Sequence, residues 1–225
     1  MLDWDHNAYY HQLLLRQLPQ PCHRALDVGC GAGTFAALIA QHVEHVDALD
    51  RSPTMIEAAR LRTPNNVNCV LADALADPLP SNSYDAIVSL SALHHMPLQD
   101  ALQRLAAALR PGGALAVVAL PRTDLRHELP IEIVAFTGHY LFGAIFATAR
   151  SLSSKSWLAK DSLHMTVMPI VDPVLTIRHV RRQAGEVLPG VRIRRLVFWR
   201  YLLLWQKPGE VEVQVAKGDS SRTSS

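Results

Sequence analysis

The sequence has few cysteines and little net charge, and each of these two shortages excludes a class of protein. Among 225 residues the cysteines are Cys22, Cys30 and Cys69, an odd number without CxxC spacing. This argues against a disulfide framework or a structural zinc site. The formal net charge is +2 with histidine neutral, far below that of a chain whose main task is to bind a polyanion. We expect a protein of the reducing cytoplasm, with nucleic acid a disfavoured partner.

The sequence also lacks a clean membrane-spanning run. The segment 129–149 has the length of a bilayer span, but Pro130, Glu132, Gly138 and His139 interrupt it. It therefore predicts a buried or pocket-covering helix. The amino terminus has neither a basic start nor an apolar run, so no signal peptide is expected.

The remaining composition is that of a globular chain. Apolar residues make up 49% and charged residues 19%, which excludes intrinsic disorder for most of the sequence. The length suits one domain, which we expect over residues 1–206, and no internal repeat is visible. The polar end, 207–225, predicts a disordered tail.

Short apolar runs alternate with segments of helical period, as in stacked β-α units. Strands are predicted at 24–28, 46–49, 68–71, 84–90 and 114–120. Helices are predicted at 33–42, from Ser52 as N-cap with Pro53 in the first turn, at 98–109 and at 173–184.

Two β-rich runs, 191–198 and 201–205, lie near the end of the chain. They are too close for a crossover connection and predict an antiparallel hairpin. The α/β pattern thus predicts a Rossmann-like, seven-stranded, mostly parallel sheet with a carboxyl-terminal antiparallel hairpin. The segment 121–172 breaks the rhythm and is expected to be an inserted helical cap on the acceptor side.

The residues that carry chemistry follow the ends of predicted strands. The run Asp27-Val28-Gly29-Cys30-Gly31-Ala32-Gly33 follows the first strand, and its alternate glycines allow a ligand to lie against bare backbone. Asp50 closes the second strand, where a carboxylate can accept both hydroxyls of a ribose. Asp73 follows the third strand. Since parallel strands end at one edge of a sheet, these acids predict a nucleoside pocket.

The charge beside the glycines separates two classes of cofactor. The pyrophosphate of a dinucleotide prefers backbone N–H groups without a nearby carboxylate, yet Asp27 stands at the glycine turn. A GxGxxG fingerprint begun at Gly29 would also need its third glycine where the chain has Thr34. The carboxylate suits the sulfonium and ammonium groups of S-adenosylmethionine. A nicotinamide oxidoreductase is the poorer interpretation.

Six motifs follow one another between residue 25 and about residue 119. They are Asp27 to Gly33, Asp50-Arg51-Ser52-Pro53-Thr54-Met55, Ala72-Asp73-Ala74, Ser83 to Ser89, Ala92-Leu93-His94-His95-Met96 and Leu109-Arg110-Pro111-Gly112-Gly113. In this order and spacing they resemble the class I S-adenosylmethionine-dependent methyltransferases, particularly the branch of the ubiquinone and menaquinone methyltransferases. The resemblance implies S-adenosylmethionine as cofactor and S-adenosylhomocysteine as product, with no metal.

The resemblance also implies roles for single residues. Asp27, Gly29 and Gly31 would line the methionine part of the cofactor, and Asp50 would take the ribose hydroxyls. The adenine contacts would come from Arg51, Met55, Asp73 and Ala74, and Ser89 would close the floor of the pocket. Tyr10 and His11 would lie on a helix that folds over the cofactor.

Methyl transfer to a nucleophile depends mainly on alignment and on exclusion of water. A base is needed only if the attacking atom keeps its proton. His94 and His95 follow the fourth predicted strand, and we predict His94 as that base; the alternative is a histidine that binds loop backbone.

We expect a methyltransferase that acts on a small-molecule acceptor. One alternative is a methyltransferase for a tRNA base, which would require a basic patch beside the crevice. The other is a noncatalytic partner subunit that binds the cofactor and whose insertion fills the methyl-donor end. The sequence leaves open the acceptor, the attacked atom and the choice between monomer and homodimer.

Overall fold

A seven-stranded sheet forms the centre of the computed structural model, which describes residues 6–122 and 173–209. The strands are β1 (Arg24–Val28), β2 (His45–Asp50), β3 (Val67–Leu71), β4 (Tyr84–Leu90), β5 (Leu109–Ala119), β6 (Arg192–Leu196) and β7 (Arg200–Gln206). The helices are α1 (His6–Leu15), α2 (Thr34–Ile39), α3 (Pro53–Arg62), α4 (Leu98–Ala108) and α5 (Ile177–Val187). The predicted cap beyond residue 122 and the predicted tail beyond residue 209 lie outside the described residues.

The strands lie in the order β3-β2-β1-β4-β5-β7-β6. The pairs among β1 to β5 are parallel, and β7 runs antiparallel to both β5 and β6. The predicted Rossmann-like sheet and its closing antiparallel hairpin are therefore confirmed. In this order the carboxyl ends of β1, β2, β3 and β4 share one edge, where the acidic motif residues lie.

Apolar clusters cover both faces of the sheet. One face packs against α4 and α5, and the other packs against α1, α2 and α3. On α4 the stripe of Leu98, Ala101, Leu102 and Leu105 is buried, as its helical spacing predicts. Each of these leucines contributes roughly 1.5–3 kcal/mol by leaving water. The sheet is thus a rigid base for the loops at its carboxyl edge.

Most predicted boundaries differ from the observed ones by one to three residues, and two element starts differ by four or more. Strand β5 begins at Leu109 rather than 114, because the Pro-Gly-Gly segment that ends α4 continues into an irregular pairing with β4 near Tyr84. Helix α5 begins at Ile177 rather than 173, because Thr176 forms a parallel bridge with Arg122 and the Arg122 N–H donates to the Leu175 carbonyl at 2.7 Å.

No helix within residues 6–122 and 173–209 has the length and hydropathy needed to cross a bilayer. The run 129–149, predicted to be a buried or covering helix, falls outside these ranges.

Candidate active site

A cavity lies at the carboxyl ends of β1, β2 and β3. It brings together six of the predicted cofactor residues: Gly29, Asp50, Arg51, Met55, Asp73 and Ala74. The structure thus gathers residues from three separate motifs around one space.

Asp50 fixes the glycine turn to the start of α3. Its Oδ2 accepts a hydrogen bond from the Gly31 N–H at 2.9 Å, and its Oδ1 accepts one from the Ser52 N–H at 2.9 Å. Each carboxylate oxygen can accept a further hydrogen bond, so the group remains able to bind hydroxyls. Gly31 does not line the cavity; it acts there through Asp50. Ser52 in turn caps α3, its hydroxyl accepting from the Met55 N–H.

Gly29 brings bare backbone to the cavity wall. Its φ is +74°, and its N–H donates to the Leu49 carbonyl at 2.8 Å. A Cβ at this position would lie 2.2 Å from the Ala92 Cβ, closer than carbon atoms can approach. Both the backbone angle and the contact therefore require glycine here.

Asp27 is a buried carboxyl group in need of a positive partner. It is 1% exposed, and its Oδ2 has no hydrogen-bond partner within the described residues. Burial, followed by the nearby Asp50, raises the pKa of Asp27 to about 7. Its side chain does not line the cavity, although the turn that follows it does. A buried carboxyl oxygen without a partner fits a cationic ligand and argues against a pyrophosphate.

Asp73 is half-buried at the end of β3. Its Oδ1 accepts a hydrogen bond from the Leu75 N–H at 2.8 Å, and its own N–H donates to Asp77 Oδ2 at 2.7 Å. These bonds fix the loop and leave Oδ2 of Asp73 with no protein partner in the described part of the chain. A ligand amino group is a suitable donor to it.

The structure does not bring Ser89 or Tyr10 into the cavity lining. The buried Ser89 hydroxyl donates to the Val28 carbonyl at 2.9 Å. Tyr10 is 2% exposed, and its hydroxyl donates to the Val197 carbonyl at 2.5 Å, which attaches α1 to the β6–β7 turn. The neighbouring His11 ring stacks on Phe35 at 4.9 Å.

The turn after β4 carries the two adjacent histidines. Residues Leu93–His95 form a 3-10 turn, and the His94 and His95 rings lie 3.9 Å apart between centroids. Burial, followed by His95 and Arg200, lowers the pKa of His94 to about 3. The pKa of His95 is also lowered, first by burial and then by Arg51. Both imidazoles are therefore neutral at physiological pH.

A second and larger cavity, about 440 Å³ against about 120 Å³ for the first, lies on the other side of this turn. His94 lines only the second cavity, whereas His95 and Met96 line both. Sequence reasoning selected His94 and missed this shared position of its neighbour. The motif that contains both histidines was the available signal. Its position in the sequence does not show which of two adjacent histidines lines both cavities.

The site therefore joins two different environments. The first cavity has Asp50 and Asp73 in its wall and Asp27 buried behind its glycine turn, whereas the second cavity has two uncharged histidines in its wall. The described ranges hold no group of three or more histidine, cysteine or acidic side chains arranged to hold a metal ion.

Comparison with known proteins identifies relatives of the whole chain. A model of the methyltransferase domain family matches residues 26–117. The uncharacterized methyltransferase Mb0092 of Mycobacterium bovis is 32% identical over 207 residues, covering 91% of this chain and 98% of that protein. The uncharacterized methyltransferase YodH of Bacillus subtilis is 31% identical over 184 residues, covering 74% of this chain and 79% of its own.

Solved structures share the fold. The PH0226 protein from Pyrococcus horikoshii has a TM-score of 0.60 at 18% identity, covering 88% of this chain and 87% of that chain. The N-methyltransferase NodS from Bradyrhizobium japonicum, solved in complex with S-adenosyl-L-homocysteine, has a TM-score of 0.56 at 18% identity and covers 92% of this chain and 90% of its own. These structures show the fold, and the 32% identity to Mb0092 along almost the whole of both chains shows that this protein belongs to the methyltransferase family.

Proposed function

We propose that this chain transfers a methyl group from S-adenosylmethionine to a small-molecule acceptor. The observation that carries the proposal is the cavity at the carboxyl edge of the sheet, with Asp50 and Asp73 in its wall and Asp27 buried behind its glycine turn. Carboxylates around bare backbone suit a cationic nucleoside. Membership of the methyltransferase family and the resemblance of the six motifs support the same donor.

The roles of the described residues follow from their positions. Asp50 takes the ribose hydroxyls through the lone pairs left by its two backbone bonds. Arg51 and the fully buried Met55 flank the adenine, and Asp73, beside Ala74, accepts from its amino group. The carboxylate of Asp27 supplies the counter-charge for the ammonium group.

Besides Asp27, three predicted cofactor residues act from outside the cavity wall in this proposal. Gly31 orients Asp50, the Ser89 hydroxyl binds the carbonyl of Val28 at the end of β1, and Tyr10 attaches α1 to the turn between β6 and β7. A direct contact of Tyr10 or Ser89 with the cofactor stays a prediction.

The bound donor supplies a methyl group on a positively charged sulfur. The protein contributes alignment of the acceptor at the turn shared by the two cavities, where Met96 adds an apolar surface that excludes water. Positioning of this kind can contribute roughly 7–11 kcal/mol to lowering the barrier.

His94 is our candidate for the base. Its low pKa means that it is free to accept a proton at neutral pH but does so weakly, so it assists only as the nucleophile loses its proton during attack. Its Nδ1 is buried and has no partner within the described residues that would hold the imidazolium. We therefore propose a modest contribution from His94.

A small molecule is a better acceptor than tRNA for this site. Arg51 is the one arginine or lysine among the described residues that line the two cavities, whereas binding of RNA requires several cations near the crevice. The finer resemblance to the ubiquinone and menaquinone branch stays a prediction.

The test is the formation of S-adenosylhomocysteine, measured by mass spectrometry. The purified protein is incubated with S-adenosylmethionine and either the small-molecule extract or the tRNA of its source cells, with the Asp50→Ala variant as control. We expect product with the small-molecule extract, none with tRNA, and less from the variant than from the parent when S-adenosylmethionine does not saturate the variant. Product with tRNA alone, or with neither fraction, contradicts the proposal.

A further inference from the structure

The second cavity adjoins the proposed cofactor site without belonging to it. Its walls come from the turn after β4, the start of α4, residues 173–175 and α5. It meets the first cavity at His95 and Met96. Its volume of about 440 Å³ lies within the usual range of small-molecule sites. A molecule held there lies directly beside a bound nucleoside.

The polar groups of this cavity are almost all uncharged. Asp100 is the one acid, lysine or arginine among its described lining residues, and it is exposed. Of the titratable groups farther in, His94 is neutral because burial lowers its pKa to about 3, and Tyr201 is neutral because burial raises its pKa. A charged ligand would lose its hydration there, and the exposed Asp100 is the one charged group among the described lining residues that could compensate for that loss.

Much of the remaining wall is apolar. Leu98 is buried at the start of α4, Val180 is buried on α5, and Leu175 lies in the segment that pairs with Arg122. The exposed Val174 extends this apolar surface to the solvent. Such walls favour a ligand with a mainly hydrocarbon surface.

Tyr201 is the exception in this wall. It is 1% exposed on β7, opposite Ala119 of β5, and it is one of the residues that line the cavity. Burial is the one cause of its raised pKa, and its hydroxyl forms no hydrogen bond in residues 6–122 and 173–209. The hydroxyl groups of buried residues normally have a hydrogen-bond partner. A neutral phenol needs an acceptor atom, which a ligand oxygen supplies.

We propose that the second cavity is the acceptor site and that it selects an uncharged, largely apolar molecule carrying an oxygen atom that accepts a hydrogen bond from Tyr201. The inference rests on the proposed function, since it assigns the substrate class of the same reaction. Tyr201 is then a specificity-determining residue: it holds the acceptor, while the turn with His95 and Met96 presents that molecule to the cofactor.

Three naphthalene probes separate the relevant chemistry: neutral 1-naphthol, anionic 1-naphthoate and cationic 1-naphthylmethylamine. Each is titrated into protein saturated with S-adenosylhomocysteine and labelled with ¹³C at its methionine methyl groups. Met96 lines both cavities, whereas Met55 lines only the first. A probe in the second cavity therefore shifts the Met96 signal and leaves that of Met55 in place.

We expect 1-naphthol to shift Met96 and to bind about tenfold or more tightly than either charged probe. Tyr201→Phe removes only the hydroxyl. It is expected to lower the affinity for 1-naphthol about three- to tenfold and to leave the affinity for S-adenosylhomocysteine unchanged. Tyr84→Phe is the matched control, because the Tyr84 hydroxyl donates to Asp47 outside both cavities. This control is expected to bind 1-naphthol like the parent.

Equal or tighter binding of a charged probe overturns the inference, and this comparison needs no variant. A 1-naphthol affinity that is unchanged in Tyr201→Phe, or a titration that leaves Met96 unmoved, overturns it as well. S-adenosylhomocysteine alone must first shift Met55. If it does not, the proposed function fails; if it does and 1-naphthol then fails, only the acceptor class is wrong.

Discussion

Replacement of Asp27 by asparagine tests whether the buried carboxyl group at the glycine turn destabilises the folded protein when it ionises. The change keeps the shape of the side chain and removes its ability to ionise. Asp27 is 1% exposed, and its Oδ2 has no partner within the described residues. We expect the Asp27→Asn variant without cofactor to gain stability over the parent as the pH rises.

The magnitude follows from the pKa of Asp27, which burial raises from 3.8 to about 7. Between these values the folded protein keeps the proton that the unfolded chain releases, so stability of the parent falls as the pH rises through this window. The full cost, once the group is ionised in the folded protein, is roughly 4 kcal/mol, of which roughly 3 kcal/mol develops between pH 5 and pH 8.

The assay is urea unfolding of both proteins, followed by circular dichroism over this pH range. His94 has the opposite effect, because its lowered pKa makes stability rise with pH between about 3 and 6.5. Since both proteins carry His94, the difference between their free energies of unfolding removes that contribution. A difference that does not change with pH refutes the account of Asp27.

The other predictions concern the cofactor site and its histidine. The affinity of the parent for S-adenosylmethionine is expected to rise as the pH approaches 7, with proton release visible by calorimetry in buffers of different ionisation enthalpy, and Asp27→Asn is expected to abolish this dependence. Asp50→Ala is expected to weaken the binding of S-adenosylhomocysteine by about 1–3 kcal/mol, and an affinity that calorimetry finds unchanged contradicts the assignment of Asp50 to the ribose hydroxyls. Gly29→Ala is expected to abolish this binding because of the 2.2 Å approach to Ala92, whereas Gly112→Ala, also at positive φ but with open space around it, is expected to keep it. His94→Ala is expected to slow turnover with unchanged affinity for S-adenosylhomocysteine; equal rates across a pH series assign His94 to structure.

The sheet could be predicted from sequence because its signals are local. The strand Tyr84–Leu90 has the predicted bounds, since a continuous apolar run marks a strand covered on both faces. The closing hairpin follows from the short connection between its strands. The later start of α5 could not be predicted in this way, because it depends on the pairing of Thr176 with Arg122, which is distant in sequence.

The residues that line the first cavity were predictable where a strand end positions them, as for Asp50 and Asp73. The position of Tyr10 was not, because its hydroxyl binds the carbonyl of Val197, almost the whole chain away. Which cavities His94 and His95 line depends on the geometry of one 3-10 turn. Spacing in the sequence cannot give that geometry.

Calorimetric titration of the purified chain with S-adenosylhomocysteine, and separately with NAD⁺, tests most directly whether the crevice selects a nucleoside that carries an ammonium group over one that carries a pyrophosphate. The account predicts one saturable site for S-adenosylhomocysteine and no heat of binding for NAD⁺. Binding of NAD⁺ by a protein that does not bind S-adenosylhomocysteine would contradict it.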